Sequence, residues 1–293
     1  MADPRRSHPA NAPGPWFVDT TCIDCDACRQ LAPGVFDGRG LGQSAVARQP
    51  AATEEEHAAE RALVACPTAS IGVRGRQVRA DGLFPQEIEN GAYYCGYNSP
   101  DSYGANAFLV VRPEGNLLVD SPRFAAPLVR EIGRLGGVRH VLLTHQDDVA
   151  DTERFAGQFG SRVWIHEADA RAAPFATDRL RGFEPVAIAP GVVAIPVPGH
   201  TRGSVAYLVA SRYLFSGDSL YWSRSRQDLS AFRDACWYSW DAQADSLERL
   251  AAHPFEWVLA GHGDRQRRPA PEMAARLRGL VARMRGVEEA VHW

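Results

Sequence analysis

Three cysteines fall within seven residues, Cys22, Cys25 and Cys28, and a fourth, Cys66, arrives far along the chain directly before Pro67. That crowding leaves no room for an ordinary disulfide framework and favours a metal that accepts several thiolates at once, in a reducing compartment. Three closely spaced thiolates plus a remote Cys-Pro are what a cubane iron–sulfur cluster needs, because its corners face different directions. Between them, Thr53 followed by Glu56 predicts a capping box opening a helix through HAAERALVAC. That helix delivers Cys66 at its end, and Pro67 stops it.

The chain has 293 residues, 45% apolar and 23% charged, the composition of about two globular domains of ordinary size. A formal charge of -3 offers no global field for nucleic acid or an anionic membrane. All 32 basic residues are Arg, and the absence of Lys excludes a Schiff-base enzyme, a P-loop lysine and a Ser-Lys hydrolase. No apolar run could serve as a signal-peptide core, and none approaches the ~18 residues of a membrane helix, so the expected location is cytoplasmic. Residues 1–15 are Pro/Ala-rich and are expected to be disordered. Residues 16–73 form the cysteine-bearing unit and 74–90 a polar linker. From Gly91 to Trp293 short apolar strands alternate with helices: AFLVV, NLLVD, HVLLTH, RVWIH, VVAIPV, VAYLV, YLFSGD and WVLAGH are the predicted strands. Pro269 to Val287 predicts a closing helix, with Met273, Leu277, Leu280, Val281, Met284 and Val287 on one face.

A second constellation lies at strand ends. The segments are Thr144-His145-Gln146-Asp147-Asp148-Val149-Ala150-Asp151, Gly199-His200-Thr201, Gly217-Asp218-Ser219 and Gly261-His262-Gly263. Glycine permits tight turns where each side chain must aim at a common centre. One Gly-His means little; the series, in this order, points to a metal site.

Residues 16–73 resemble single-cluster bacterial ferredoxins. The resemblance implies one [4Fe–4S] cluster on Cys22, Cys25, Cys28 and Cys66, with a [3Fe–4S] form or structural zinc on the same thiolates as alternatives. In two-cluster relatives another Cys-Pro follows three residues after the third Cys; here that slot reads Ala32-Pro33. Residues 91–268 resemble the metallo-β-lactamase superfamily. The implied fold is α+β, a small ferredoxin-like domain followed by a four-layered αβ/βα metallo-β-lactamase sandwich. Relatives carry His-x-His-x-Asp-His in the first segment. Here Asp147 stands at the second His, and Val149 and Ala150 replace the Asp and the last His. Carried over residue by residue, His145, Asp147, His200 and bridging Asp218 complete one metal site, and the other keeps only His262 and Asp218. Either a single iron or zinc ion binds, or the loop is re-registered and Asp148 or Asp151 replaces the lost groups, in ligation and catalysis, at a two-ion centre. Asp151 has a plainer role open to it, as N-cap of the helix TERFAGQF.

Losing the motif's Asp weakens the two-metal activation of water, whereas mixed His/carboxylate ligation suits redox iron. The leading expectation is therefore an oxidoreductase relaying electrons from the cluster to the second metal, served by a redox partner protein or reductase. The alternatives are a hydrolase of a small-molecule ester, thioester or lactone with a structural or regulatory cluster, and a non-catalytic carrier or redox-sensing module. Oligomeric state is open. Tyr221, Trp222, Arg224, Arg226, Trp237, Tyr238 and Trp240 could wall a pocket, or be ordinary core and surface. Seven Arg within 265–285 suggest either a basic docking patch or a solvated helix face. Cys95 and Cys236 are expected as buried thiols, and His166 as a structural hydrogen-bonding residue.

Overall fold

Strand Trp16–Val18 pairs antiparallel with Ile71–Val73, Trp16 opposite Val73, closing the ends of the cysteine segment in the computed structural model, which describes residues 2–38 and 42–287. A helical turn Ala27–Leu31, a short hairpin of Phe36–Asp37 with Ala45–Val46, and helix Thr53–Ala65 complete this part. Trp16, Val18, Phe36, Val46, Ala59, Ala62 and Ile71 form its apolar core. Ala32, at the slot of a lost second-cluster cysteine, is buried in that core.

Two local expectations are corrected. The capping box does not form: the N-cap is Ala52, with Thr53 already inside the helix. Glu56 instead accepts the Trp16 indole N–H at 3.2 Å and pairs with Arg76, while Glu55 accepts Ala51 N–H at 2.8 Å. Nor are residues 2–15 disordered. The His8 and Ala12 amides donate to the Val18 and Val46 carbonyls, and Asn11 Oδ1 accepts from Val18 and Val46 amides at 3.2 and 2.9 Å. Composition missed a segment held by backbone-like hydrogen bonds from one side chain.

The segment 74–90, read as linker, contains strand Gln86–Glu89, which opens an antiparallel meander with Ala92–Tyr94, Phe108–Val110 and Leu117–Val119. Its charges hide an edge strand, where polar side chains are the rule. Two compact units result. One holds the described residues up to Arg139 together with Ala150–Gly160; the other holds His140–Val149 and the described residues from Ser161 onward. In the first unit, helices Ala126–Arg134 and Thr152–Phe159 bury Leu128, Ile132 and Phe155, with Phe124 and Phe155 packed edge-on.

In the second unit, His140–Leu142, Arg162–His166 and Asp178–Leu180 run parallel. A six-stranded sheet follows in the order Val186–Ala189, Val192–Pro196, Val205–Val209, Tyr213–Gly217, Trp257–Ala260, Gln266–Arg267. Each of the eight apolar runs contains a strand. Helices Trp240–Leu250 and Ala270–Ala282 cover the sheet, Leu247, Leu250, Met273, Leu277, Leu280 and Val281 packing with Ile195, Leu214 and Val258. The last helix ends earlier than its apolar spacing predicts. Arg283–Val287 is a wider turn in which Gly286 takes φ 91°; the Val287 side chain and residues 288–293 lie outside the described residues. Among the described residues no helix is long and apolar enough to cross a membrane.

Candidate cluster pocket and metal centre

Cys22, Cys25, Cys28 and Cys66 line one cavity with Val18, Ile23 and Ile71. The loop curls around it through left-handed backbone at Asp24 and Asp26, a conformation aspartate tolerates, and Arg29 pairs with both carboxylates. Burial pushes the Cys25 thiol up to about 12, and neighbouring Cys66 and Cys22 push the same way; burial raises Cys28 too. Thiols so placed ionise only with a cationic group between them. Amides of Ser70 and Ser44 approach Cys66 Sγ and Cys22 Sγ at 3.3 and 3.4 Å, the N–H···S bonds that tune cluster potentials. The donor set and its apolar lining fit an iron–sulfur cluster.

The same unit closes over the pocket. Arg123 donates through Nη2 to the carbonyls of Val64 and Cys66 at 3.0 and 3.2 Å, and Asn98 N–H donates to Ala65 O at 3.2 Å. Gly104 lies so close that an added Cβ would fall 2.7 Å from Cys25 Cβ and 2.9 Å from its sulfur. Next along the chain, Phe124 N–H donates to Asp151 Oδ2 at 2.7 Å. Asp151 is the N-cap residue by position, yet its side chain makes no cap bond; Phe124 and Arg154 occupy it.

In the second unit, strand ends and the turns after them gather His145, Asp147, Asp148, His200, Asp218 and His262. Two groups have donor atoms within 4.8 Å of one another: His145, Asp147 and His200, and His145, Asp148 and Asp218. Asp218 Oδ2 lies 3.8 Å from Nε2 of each of three imidazoles, His145, His200 and His262. His200 Nε2 is 3.2 Å from Asp147 Oδ2 and His145 Nε2 is 3.9 Å from it. Ligands about 2.0–2.1 Å from a tetrahedral ion stand about 3.3 Å apart, so these spacings leave room for one with little adjustment. Asp151 belongs to neither group.

The electrostatics match. Burial drives His145 down to about 4, so the ring is neutral, and its buried Nε2 has no hydrogen-bond partner. Asp218 Oδ1 is likewise buried and unpartnered. Burial works to raise the Asp218 carboxyl, but electrostatic interaction with the imidazoles of His262, His145 and His200 outweighs it and holds it low. The His200 hydrogen bond depresses Asp147. On His200 burial is outweighed by the Asp147 hydrogen bond and the Asp218 charge, and its affinity for a proton rises. His200 Nδ1 donates to the Ala235 carbonyl at 2.5 Å, which turns Nε2 toward the carboxylates. Gly261 is the position a larger residue would spoil: its Cβ would fall 2.5 Å from Asp218 Oδ1 and 3.2 Å from Asp148 Oδ2.

Sequence reasoning missed Asp169, which receives Gln146 N–H, Thr201 Oγ1–H and Gly203 N–H at 3.1, 2.6 and 3.0 Å. Only tertiary contact reveals it. The suggested aromatic wall divides: Tyr221 and Trp222 are buried, whereas Trp237 and Tyr238 are 65% and 52% exposed. The Trp237 amide N–H donates to His200 O at 2.9 Å, and its exposed indole stands 6.1 Å from the His200 ring. Arg224 pairs with Asp264. Much of the basic stretch is likewise internally paired: Arg276 with Asp228 and Glu272, Arg283 with Asp228, Arg285 with Asp245 and Glu248. That pairing favours the solvated helix face over a docking patch. Cys95 is buried, and half-buried Cys236 donates to Gly199 O. His166 Nε2 lies 2.8 Å from Gly182 O, the structural bond expected.

Sequence profiles place this architecture among known proteins. Residues 18–73 match the "4Fe-4S single cluster domain of Ferredoxin I", and residues 92–283 match the "Metallo-beta-lactamase superfamily". The chain belongs to the metallo-β-lactamase superfamily, with a single-cluster ferredoxin-type domain ahead of the superfamily region. It is 34% identical over 151 residues to a hydroxyacylglutathione hydrolase of Fuscovulum blasticum, covering 50% of this chain and 56% of that one. It is 31% identical over 161 residues to one from Xanthomonas oryzae pv. oryzae, covering 52% and 58%. The chain thus spans little more than half the length of these relatives. The crystal structure of a metallo-β-lactamase from Hirschia baltica shares the fold, with a TM-score of 0.52 at 16% identity over 67% of this chain and 96% of that one.

Proposed function

We propose that the superfamily region is a metal-dependent hydrolase of small acyl esters or thioesters, with the cluster domain as its structural or regulatory companion. The observation that carries this is Asp218: one carboxylate oxygen set 3.8 Å from three imidazole nitrogens, beside buried, unpartnered His145 Nε2 and Asp218 Oδ1. His145, Asp147, His200 and Asp218 would hold one ion, with Asp148 and His262 flanking it. A zinc or iron ion there would supply Lewis acidity and an activated water. The residues' own tasks follow from their surroundings. Asp147 and Asp218 are held ionised by their histidines, His145 stays neutral in its dry setting, and Ala235 fixes the His200 tautomer. Asp148, 1% exposed beside His145 and Gly261, is the carboxylate placed to take a proton from a nucleophile; Asp151, occupied by Phe124, serves the scaffold. Relatives named hydroxyacylglutathione hydrolase support the acyl substrate class.

The test is hydrolysis of a hydroxyacyl-glutathione thioester and of an aryl acetate by anaerobically purified protein, before and after chelation and reloading with zinc or iron. Activity that follows the second metal while cluster absorbance stays constant is expected. An inert metal-loaded protein would overturn the reading. The two-imidazole, two-carboxylate donor set favours a second reading, electron delivery from a [4Fe–4S] cluster to iron. Re-oxidation of the reduced cluster that depends on second-site iron would establish it.

A further inference from the structure

The ligands of the proposed metal centre sit on separate turns, and turns are mobile unless tied down. Asp169 ties two of them. It follows strand Arg162–His166 in a short helical turn and is 2% exposed. Its Oδ2 accepts from the amide of Gln146, the residue between His145 and Asp147, and from the Thr201 hydroxyl, next to His200. Its Oδ1 accepts from Gly203 N–H. The fit is tight on that side, because a Cβ at Gly203 would fall 2.5 Å from the carboxylate. Ser204 Oγ accepts from Thr201 N–H at 2.9 Å and completes the brace.

We propose that Asp169 is a positioning residue: its buried carboxylate locks the His145–Asp147 turn and the His200 turn in register before any metal arrives. This rests on the metal-centre reading but concerns a residue that ligates nothing. The chemistry is specific to a carboxylate. Gln146 and Gly203 present backbone N–H groups that only donate, and each uses a different oxygen. An Asn side chain has one acceptor oxygen, so one amide must then face an NH2 group. Thr201 alone can adapt, by turning its hydroxyl.

The test compares Asp169→Asn, Asp169→Glu and Thr201→Val with the full-length native protein, using cobalt(II) as probe after chelation of the second site. Binding is read from the visible ligand-field spectrum. Asp169→Asn should weaken cobalt binding roughly 10–100-fold, as loss of an outer-shell carboxylate does, and alter the band positions. Thr201→Val, losing one bond, should fall between it and the native protein. Cluster absorbance and the thermal midpoint report any general loss of fold. Amide exchange in the metal-free protein supplies the second readout: Gln146 and Gly203 should be protected in the native chain and several-fold less so in Asp169→Asn. Unchanged cobalt affinity and spectrum in Asp169→Asn would overturn the proposal. If the native protein takes up no cobalt the metal reading fails, and amide exchange alone decides the brace, unprotected native amides refuting it.

Discussion

The cluster pocket and the metal centre solve ligation in opposite ways. The first gathers four identical soft thiols, three of them within seven residues, in a setting of apolar side chains and amide donors. The second gathers candidate imidazole and carboxylate ligands from three turns, each held by hydrogen bonds from neighbours outside the donor set. A loop of thiolates carries its geometry in its spacing; a site of scattered imidazoles and carboxylates carries it in the fold. Substitution should therefore be fatal and local in one site, graded and distributed in the other.

The largest effect is expected from Cys66→Ser, which should remove the cluster's visible absorbance and about four irons per chain while leaving second-site metal in place. Loss of metal from both sites would break the comparison. His200→Ala should come next. A direct ligand with a buried second-nitrogen bond should cost more than the roughly 10–100-fold of an outer-shell partner, measured by metal titration, with cluster iron unchanged. Gly104→Ala should act more mildly on the first site. Its φ of +83° is strained for a side chain and the new methyl meets Cys25, so reduced iron content and a shifted reduction potential are expected. Asn11→Ala should be smallest, costing about 2 kcal/mol in denaturant unfolding by orphaning the Val18 and Val46 amides, with both metals retained.

The same contrast explains what could be read in the sequence. Cys22, Cys25, Cys28 and Cys66 needed only spacing and a proline to be grouped, and eight apolar runs needed only their length to be placed as strands. Trp16–Val18 and Gln86–Glu89 escaped, one because it is short and the other because an edge strand is polar. At the second site, glycines and strand ends singled out His145, Asp147, His200 and Asp218, which the fold brings together, but they could not separate Asp148 from Asp151. Both are aspartates in one loop. What separates them is that Phe124 N–H occupies Asp151 while Asp148 is buried under Gly261, and both facts come from tertiary contacts. Asp169 was invisible for the same reason: a carboxylate that brackets two turns leaves no periodic trace.

The guanidinium of Arg123 on the carbonyls of Val64 and Cys66, with Gly104 pressed on Cys25, bears on how portable the cysteine segment is. A family boundary drawn between residues 73 and 92 passes through a shared interior. Cutting there would take the Arg123 donor from two carbonyls and uncover Cys25 where Gly104 packs on it. The cysteine segment is therefore expected not to be a detachable module, since the cover over its thiols comes from the chain beyond it.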